Sequence, residues 1–83
     1  MRISTLEGDP HYNEAAMWTT IKVDGAIVRG VVTADTVLNE IVVSDGADIY
    51  GNAKYKTVKG NKVEIIPGPY AEIKGGRLQK APS

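Results

Sequence analysis

The sequence predicts a small all-β domain, or a β-rich α+β domain, built as an antiparallel meander of five or six strands. Three observations support this prediction. Short runs rich in Val, Ile and Thr alternate between apolar and polar positions, turn residues separate these runs, and no segment has a sustained helical period. The expected architecture is an SH3-like or OB-like barrel or a sandwich. The 83 residues allow one domain, and without cysteine no disulfide can stabilise it.

The strongest local signal is Asp24-Gly25, because both residues tolerate the positive φ angles of a two-residue hairpin turn. Gly30 lies inside the next apolar run and indicates a bulge or a close backbone approach. A turn-rich loop is expected over residues 44–53. The predicted strands are 17–23, 26–33, 37–43, 54–58 and 62–66, with 70–73 as a candidate short edge strand.

The predicted domain spans residues 1–74 and opens with an irregular segment, residues 1–16. Within that segment Asn13 is placed to cap one short helical turn. Pro67-Gly68-Pro69 should end the regular structure, because proline cannot donate to a ladder. The glycines, the proline and the basic residues of 75–83 predict a flexible tail.

The two halves of the chain carry opposite charge although the net charge is zero. Residues 1–48 contain three basic and eight acidic residues, whereas residues 49–83 contain seven basic and two acidic residues. This asymmetry gives two faces of opposite sign if the halves fold apart, and it is neutralised if their strands share a sheet. Both outcomes are open at this point.

The amino-terminal residues lack the basic start and apolar run of a secretory signal. The longest apolar runs, such as 41–43, are far shorter than the roughly 20 residues that span a bilayer. We therefore expect a soluble protein of the cytoplasm, which is the host cytoplasm if a phage encodes it, and no membrane partner.

No residue set matches a catalytic, cofactor or metal-binding pattern. His11 is the only histidine, so a zinc site would need three carboxylate ligands, which zinc seldom uses. The loop 45–52 lacks the ligand spacing and the final glutamate of a calcium loop. No phosphate-binding glycine motif is present. We expect a protein that is not an enzyme and that has no cofactor.

A basic and aromatic cluster is the main candidate for nucleic-acid binding. Lysines interleaved with aromatic residues on a β surface can hold phosphates and stack bases. In the strand 54–58, however, Tyr55 is expected to face away from the lysines and to be a core or half-core residue. Lysines also protect sheet edges from aggregation. The cluster comprises Tyr50, Lys54, Tyr55, Lys56, Lys59 and Lys62.

Protein–protein binding is the leading hypothesis, and a homodimer is one form of it. Trp18 either packs under the amino-terminal segment or is exposed as an interface anchor, since Trp and Tyr dominate binding hot spots. Acidic side chains of the first half are candidates for a basic partner surface. The candidate partner-binding residues are Trp18, Asp35, Glu40, Asp45, Asp48, Tyr50, Lys54, Lys56 and Lys59.

The segments 1–10, 23–26, 33–36 and 40–43 give the chain a resemblance to small accessory proteins of bacteriophages. In these segments a β-hairpin is followed by Thr-Ala-Asp and a further strand. The resemblance implies a compact protein that binds and inhibits a host defence protein, as anti-CRISPR proteins do. Its alternative implication is a homo-oligomeric virion or assembly protein, and neither implication assigns functional residues.

Overall fold

The computed structural model describes residues 1–82 and contains nine strands and one short 3₁₀ helix. The prediction of an all-β fold is therefore confirmed. In chain order the elements are β1 (Arg2–Ser4), the 3₁₀ helix (Glu14–Trp18), β2 (Thr19–Val23), β3 (Ala26–Val28), β4 (Val31–Asp35), β5 (Glu40–Ala47), β6 (Ala53–Lys59), β7 (Val63–Pro67), β8 (Ala71–Lys74) and β9 (Arg77–Lys80).

The strands form three antiparallel sheets, in the orders β1-β4-β5-β6, β3-β2-β7 and β8-β9. Within residues 1–82 none of these sheets closes on itself into a barrel. One core cluster joins all three, with Ile41 from the first sheet, Ile21 and Val63 from the second, and Leu78 from the third. Strands from both halves of the chain share sheets, because β5 pairs with β6 and β2 pairs with β7.

The turn predicted at Asp24-Gly25 is confirmed, because both residues have positive φ and Val23 pairs with Ala26. The strand predicted over 26–33 is instead two strands. Gly30 has a φ of 75°, in the left-handed region, so it interrupts the extended strand. β4 then joins a different sheet from β3. The predicted three-strand meander of 17–43 is therefore wrong, and the meander that does form is β4-β5-β6.

The first sixteen residues are more ordered than predicted. β1 pairs with β4, so that Ile3 lies opposite Ala34 and both are buried. The Ser4 N–H donates to the His11 carbonyl at 3.0 Å, which ties the following loop to this strand. The predicted helical turn is confirmed, with the Asn13 side chain accepting from the Ala15 N–H at 2.9 Å.

Residues 77–80, which were predicted to belong to a flexible tail, form β9 and pair with β8. Gly75 and Gly76 both have positive φ, which is the geometry of a two-residue hairpin turn. Leu78 is only 5% exposed and contributes to the core. The described structure thus continues beyond the predicted boundary at residue 74, and Ser83 lies outside the described residues.

Candidate protein-binding arm

The longest hairpin of the fold extends away from the core. β5 and β6 pair from Glu40↔Lys59 to Ala47↔Ala53, with an irregularity between Ser44 and Ala47. Ile41 and Val43 of β5 are buried, but every residue from 44 to 59 is exposed. We call residues 44–56 the arm. Half of the loop predicted over 44–53 is therefore strand, and residues 48–52 form the turn at its tip.

One carboxylate organises the turn at the tip of the arm. Asp48 Oδ1 accepts from the Tyr50 N–H at 2.8 Å and from the Asn52 N–H at 3.0 Å. Asp48 Oδ2 accepts from Asn52 Nδ2 at 3.2 Å. The hydrogen bond from the Asn52 amide is the main cause that lowers the pKa of Asp48, and the Tyr50 amide adds to it. The tip is thus a defined turn with an ionised side chain inside it.

Two large apolar side chains at this tip are almost fully exposed in the described part of the chain. Ile49 is 90% exposed and Tyr50 is 82% exposed, the highest values among the exposed large hydrophobic residues of 1–82. The turn that Asp48 closes holds their backbone in place. Tyr50 was among the predicted binding residues, whereas Ile49 was not. The available signal for Ile49 was an apolar residue in the middle of an Asp, Gly and Asn turn.

The lysines of β6 lie on two faces. Lys56 lies opposite Val43 and Val58 lies opposite Ile41, so Lys56 and Val58 point to the face between the sheets. Lys54, two residues before Lys56, lies on the same face. Tyr55 and Lys59 lie on the other face. Tyr55 does face away from Lys54 and Lys56, but at 45% exposure it is an exposed residue and not the core or half-core residue that was predicted. Lys62 is exposed in the turn before β7.

Asp35 and Glu40 serve the sheet rather than the free surface. Arg2, Asp35, Glu40 and Lys59 are opposite one another across four strands. The Arg2 guanidinium lies 3.3 Å from Asp35 Oδ2 and 3.1 Å from Glu40 Oε1. Asp35 is buried, and Glu40 also lies 3.9 Å from the Lys59 ammonium. These two predicted partner-binding carboxylates already have partners within the chain.

Trp18 anchors the β8–β9 hairpin. Its ring centroid is 6.3 Å from that of Tyr70, and the Lys80 ammonium lies 5.8 Å from the indole centroid. Lys80 also pairs with Glu14 at 3.1 Å, and the Trp18 carbonyl accepts from the Gly68 N–H at 2.8 Å. Trp18 is half-buried, and it packs against the carboxyl-terminal hairpin and not under the amino-terminal segment as predicted.

The remaining candidates do not gather into a second site. His11 is an exposed loop residue, and Asp45 is an exposed residue of the arm. Among residues 1–82 no three His, Cys, Asp or Glu side chains are grouped as metal ligands, and no helix has the length and apolar character needed to cross a bilayer. In comparisons with known proteins the chain matches no family model, no curated protein and no solved structure.

Proposed function

We propose that the protein is a non-enzymatic interaction module that binds a partner protein with the tip of the arm. The observation that carries this proposal is the exposure of Ile49 and Tyr50, 90% and 82%, on a turn held by Asp48. Burial of an Ile or Tyr side chain contributes roughly 1.5–3 kcal/mol. The fixed turn reduces the entropy that binding would otherwise cost.

The resemblance to phage accessory proteins supports a specific form of this proposal, in which the partner is a host defence protein that the arm inhibits. A narrow hairpin with an apolar tip suits insertion into a cleft, and inhibition would follow from occupying that cleft. We also propose that the two larger sheets form a sandwich, which is supported by their open edges and their shared core.

The test is capture from nuclease-treated bacterial lysate with matched variants. The arm variant carries Ile49→Ser and Tyr50→Ser. The control variant carries Val37→Ser and Leu38→Ser, which are exposed at the opposite end of β5. We expect the arm variant to lose at least about tenfold in partner recovery, corresponding to about 1.4 kcal/mol. The control should retain recovery, and both variants should melt close to the parent protein.

Equal recovery by the two variants would contradict the proposal, because the tip would then contribute no binding energy. Loss of recovery in the control alone would move the binding surface to the turn between β4 and β5. Either outcome can be interpreted, because all four substituted side chains are exposed in the folded chain.

Nucleic-acid binding by β6 is a second candidate function. It is favoured by Lys54 and Lys56, which are exposed and have no carboxylate within 4.0 Å among residues 1–82. This function predicts binding to an oligothymidylate that weakens steeply with salt and that Lys54→Ala with Lys56→Ala abolishes. An absence of binding at low salt would exclude it.

A further inference from the structure

β6 is the terminal strand of its sheet, and within residues 1–82 no strand pairs with its outer edge. The backbone N–H and C=O groups on that edge are free to receive another strand. The β5–β6 register identifies which residues provide these groups.

In an antiparallel ladder, residues bond alternately to the strand on one side and to the strand on the other. The Gly60 N–H donates to the Asn39 carbonyl at 2.9 Å. Because bonding alternates along the strand, the backbone groups of Val58 and Lys56 also point toward β5. The Ser44 N–H donates to the Gly30 carbonyl at 3.0 Å, away from β6, which agrees with this alternation. The groups of Tyr55, Thr57 and Lys59 therefore point outward from β6.

The charge along this edge selects the chemistry of an added strand. Lys54 and Lys56 have no carboxylate partner among the described residues, and Lys59 has only Glu40 at 3.9 Å. Opposite charges on neighbouring strands are favourable and like charges are not. An acidic strand thus fits beside β6, while a basic strand is disfavoured.

The two faces of β6 present different side chains to an added strand. A groove of about 400 Å³ lies between the two larger sheets and is lined partly by Val23, Val28 and Val43. Every second side chain of a strand points to the same face. Carboxylates of an added strand that point to this face would therefore lie beside Lys54 and Lys56, and its apolar side chains would lie on the other face, beside Tyr55 and Thr57.

We propose that the outer edge of β6 binds an acidic, extended segment of the partner protein as an additional antiparallel strand. The added segment bonds to the backbone groups of Tyr55, Thr57 and Lys59, and its carboxylates pair with Lys54 and Lys56. This inference rests on the proposed function and specifies the class of segment that the partner contributes, beside the contacts made by the tip of the arm.

A second copy of the chain does not fit this edge. Antiparallel pairing of two β6 edges would place Lys54, Lys56 and Lys59 of both copies along one seam. Like charges on adjacent strands are destabilising, and edge lysines are a recognised means of preventing such pairing.

The test uses a capped eight-residue peptide of alternating glutamate and valine, with an alternating lysine and valine peptide as control. We expect measurable binding of the glutamate peptide, at least about tenfold weaker binding of the lysine peptide, and slowed amide exchange at Tyr55, Thr57 and Lys59 on binding. Thr57→Pro should abolish binding, because it removes an outward N–H that β5 does not use. Thr57→Ala keeps that N–H and should bind normally.

A variant with Lys54→Glu and Lys56→Glu provides a second criterion that does not depend on how proline affects the strand. It should reverse the preference and bind the lysine peptide better. Failure of the glutamate peptide to bind, binding that survives Thr57→Pro, or an unchanged preference in the charge-reversed variant would each overturn the inference.

The outcomes also separate this inference from the proposed function. If lysate recovery depends on Ile49 and Tyr50 but not on Thr57→Pro, the tip binds a protein and the edge does not. If the peptide binds the edge and lysate recovery does not depend on Ile49 and Tyr50, strand addition is supported and the proposed function of the tip is wrong. If an oligothymidylate displaces the glutamate peptide from β6 and binds more tightly, the edge is a nucleic-acid site and the inference is overturned.

Discussion

The two turns at the ends of β5 are built in the same way and serve different purposes. In the turn before β5, Asp35 Oδ1 accepts from the Val37 N–H at 2.8 Å and the Leu38 N–H at 2.9 Å. In the turn after β5, Asp48 Oδ1 accepts from two backbone amides in the corresponding way. Each turn also presents two exposed apolar residues.

The turns differ in where the second carboxylate oxygen is engaged. Asp35 is 5% exposed, and its Oδ2 pairs with Arg2, which links β4 to the edge strand β1. Asp48 is exposed, and its Oδ2 accepts from Asn52 within the same turn. The same local device therefore fixes the sheet at one end of β5 and supports a free surface at the other.

The largest effect that we expect is the loss of stability on replacing Asp35. Asp35→Ala would leave the Val37 and Leu38 amides without their side-chain acceptor in a part-buried setting, and the Arg2 guanidinium would keep only Glu40. We expect a loss of roughly 2–4 kcal/mol in the free energy of unfolding. Urea denaturation measures it, and Asp45→Ala on the exposed part of β5 is the control that should change stability little. Equal losses in the two variants would contradict the assigned role.

The pH dependence of stability should also distinguish the two carboxylates. Burial opposes ionisation of Asp35, but hydrogen bonds from Leu38, Val37 and Arg2 outweigh it and lower its pKa. A lowered pKa stabilises the fold above the ordinary value of about 4, and this stabilisation is lost as the pH falls through the folded-state pKa.

Asp35→Asn should therefore be less stable than the parent at pH 7 and should lose less stability between pH 5 and pH 2. Asp48→Asn should follow the parent more closely, because solvent screens its interactions. Denaturation at several pH values tests this expectation, and a parent-like acid transition in Asp35→Asn would contradict it.

The smallest effect on stability is expected for Asp48→Ala, which should leave the melting temperature almost unchanged. Its consequence should be local, because the Tyr50 and Asn52 amides lose their acceptor and should exchange faster with solvent. Partner recovery should fall several-fold as the tip loses its fixed shape. Unchanged exchange and unchanged recovery together would show that Asp48 does not organise the arm.

Much of the strand content could be predicted from the sequence, because turn chemistry is local. Asp24-Gly25 marked its hairpin correctly, and Gly75-Gly76 carried the same kind of signal although residues 75–83 were predicted to be a tail. The division at Gly30 was not predictable from alternation, since both parts continue the same pattern. Whether a strand stays in its sheet is decided by tertiary packing.

The candidate binding site was predictable only in part. Asp48 and Tyr50 were identified from residue type, and both lie at the tip of the arm. Asp35 and Glu40 have the same composition signal as Asp45, but their burial and their pairing with Arg2 depend on β1 lying beside β4. Sequence patterns do not specify which carboxylate meets a distant guanidinium.

The central claim is that the tip of the arm, and not the opposite turn, contacts a partner. The most direct measurement places a photoreactive phenylalanine derivative at Tyr50 in one sample and at Val37 in another, followed by irradiation in bacterial lysate. Both positions are exposed. The account predicts one stoichiometric protein cross-linked from position 50 and none from position 37, whereas cross-linking from position 37 alone would contradict it.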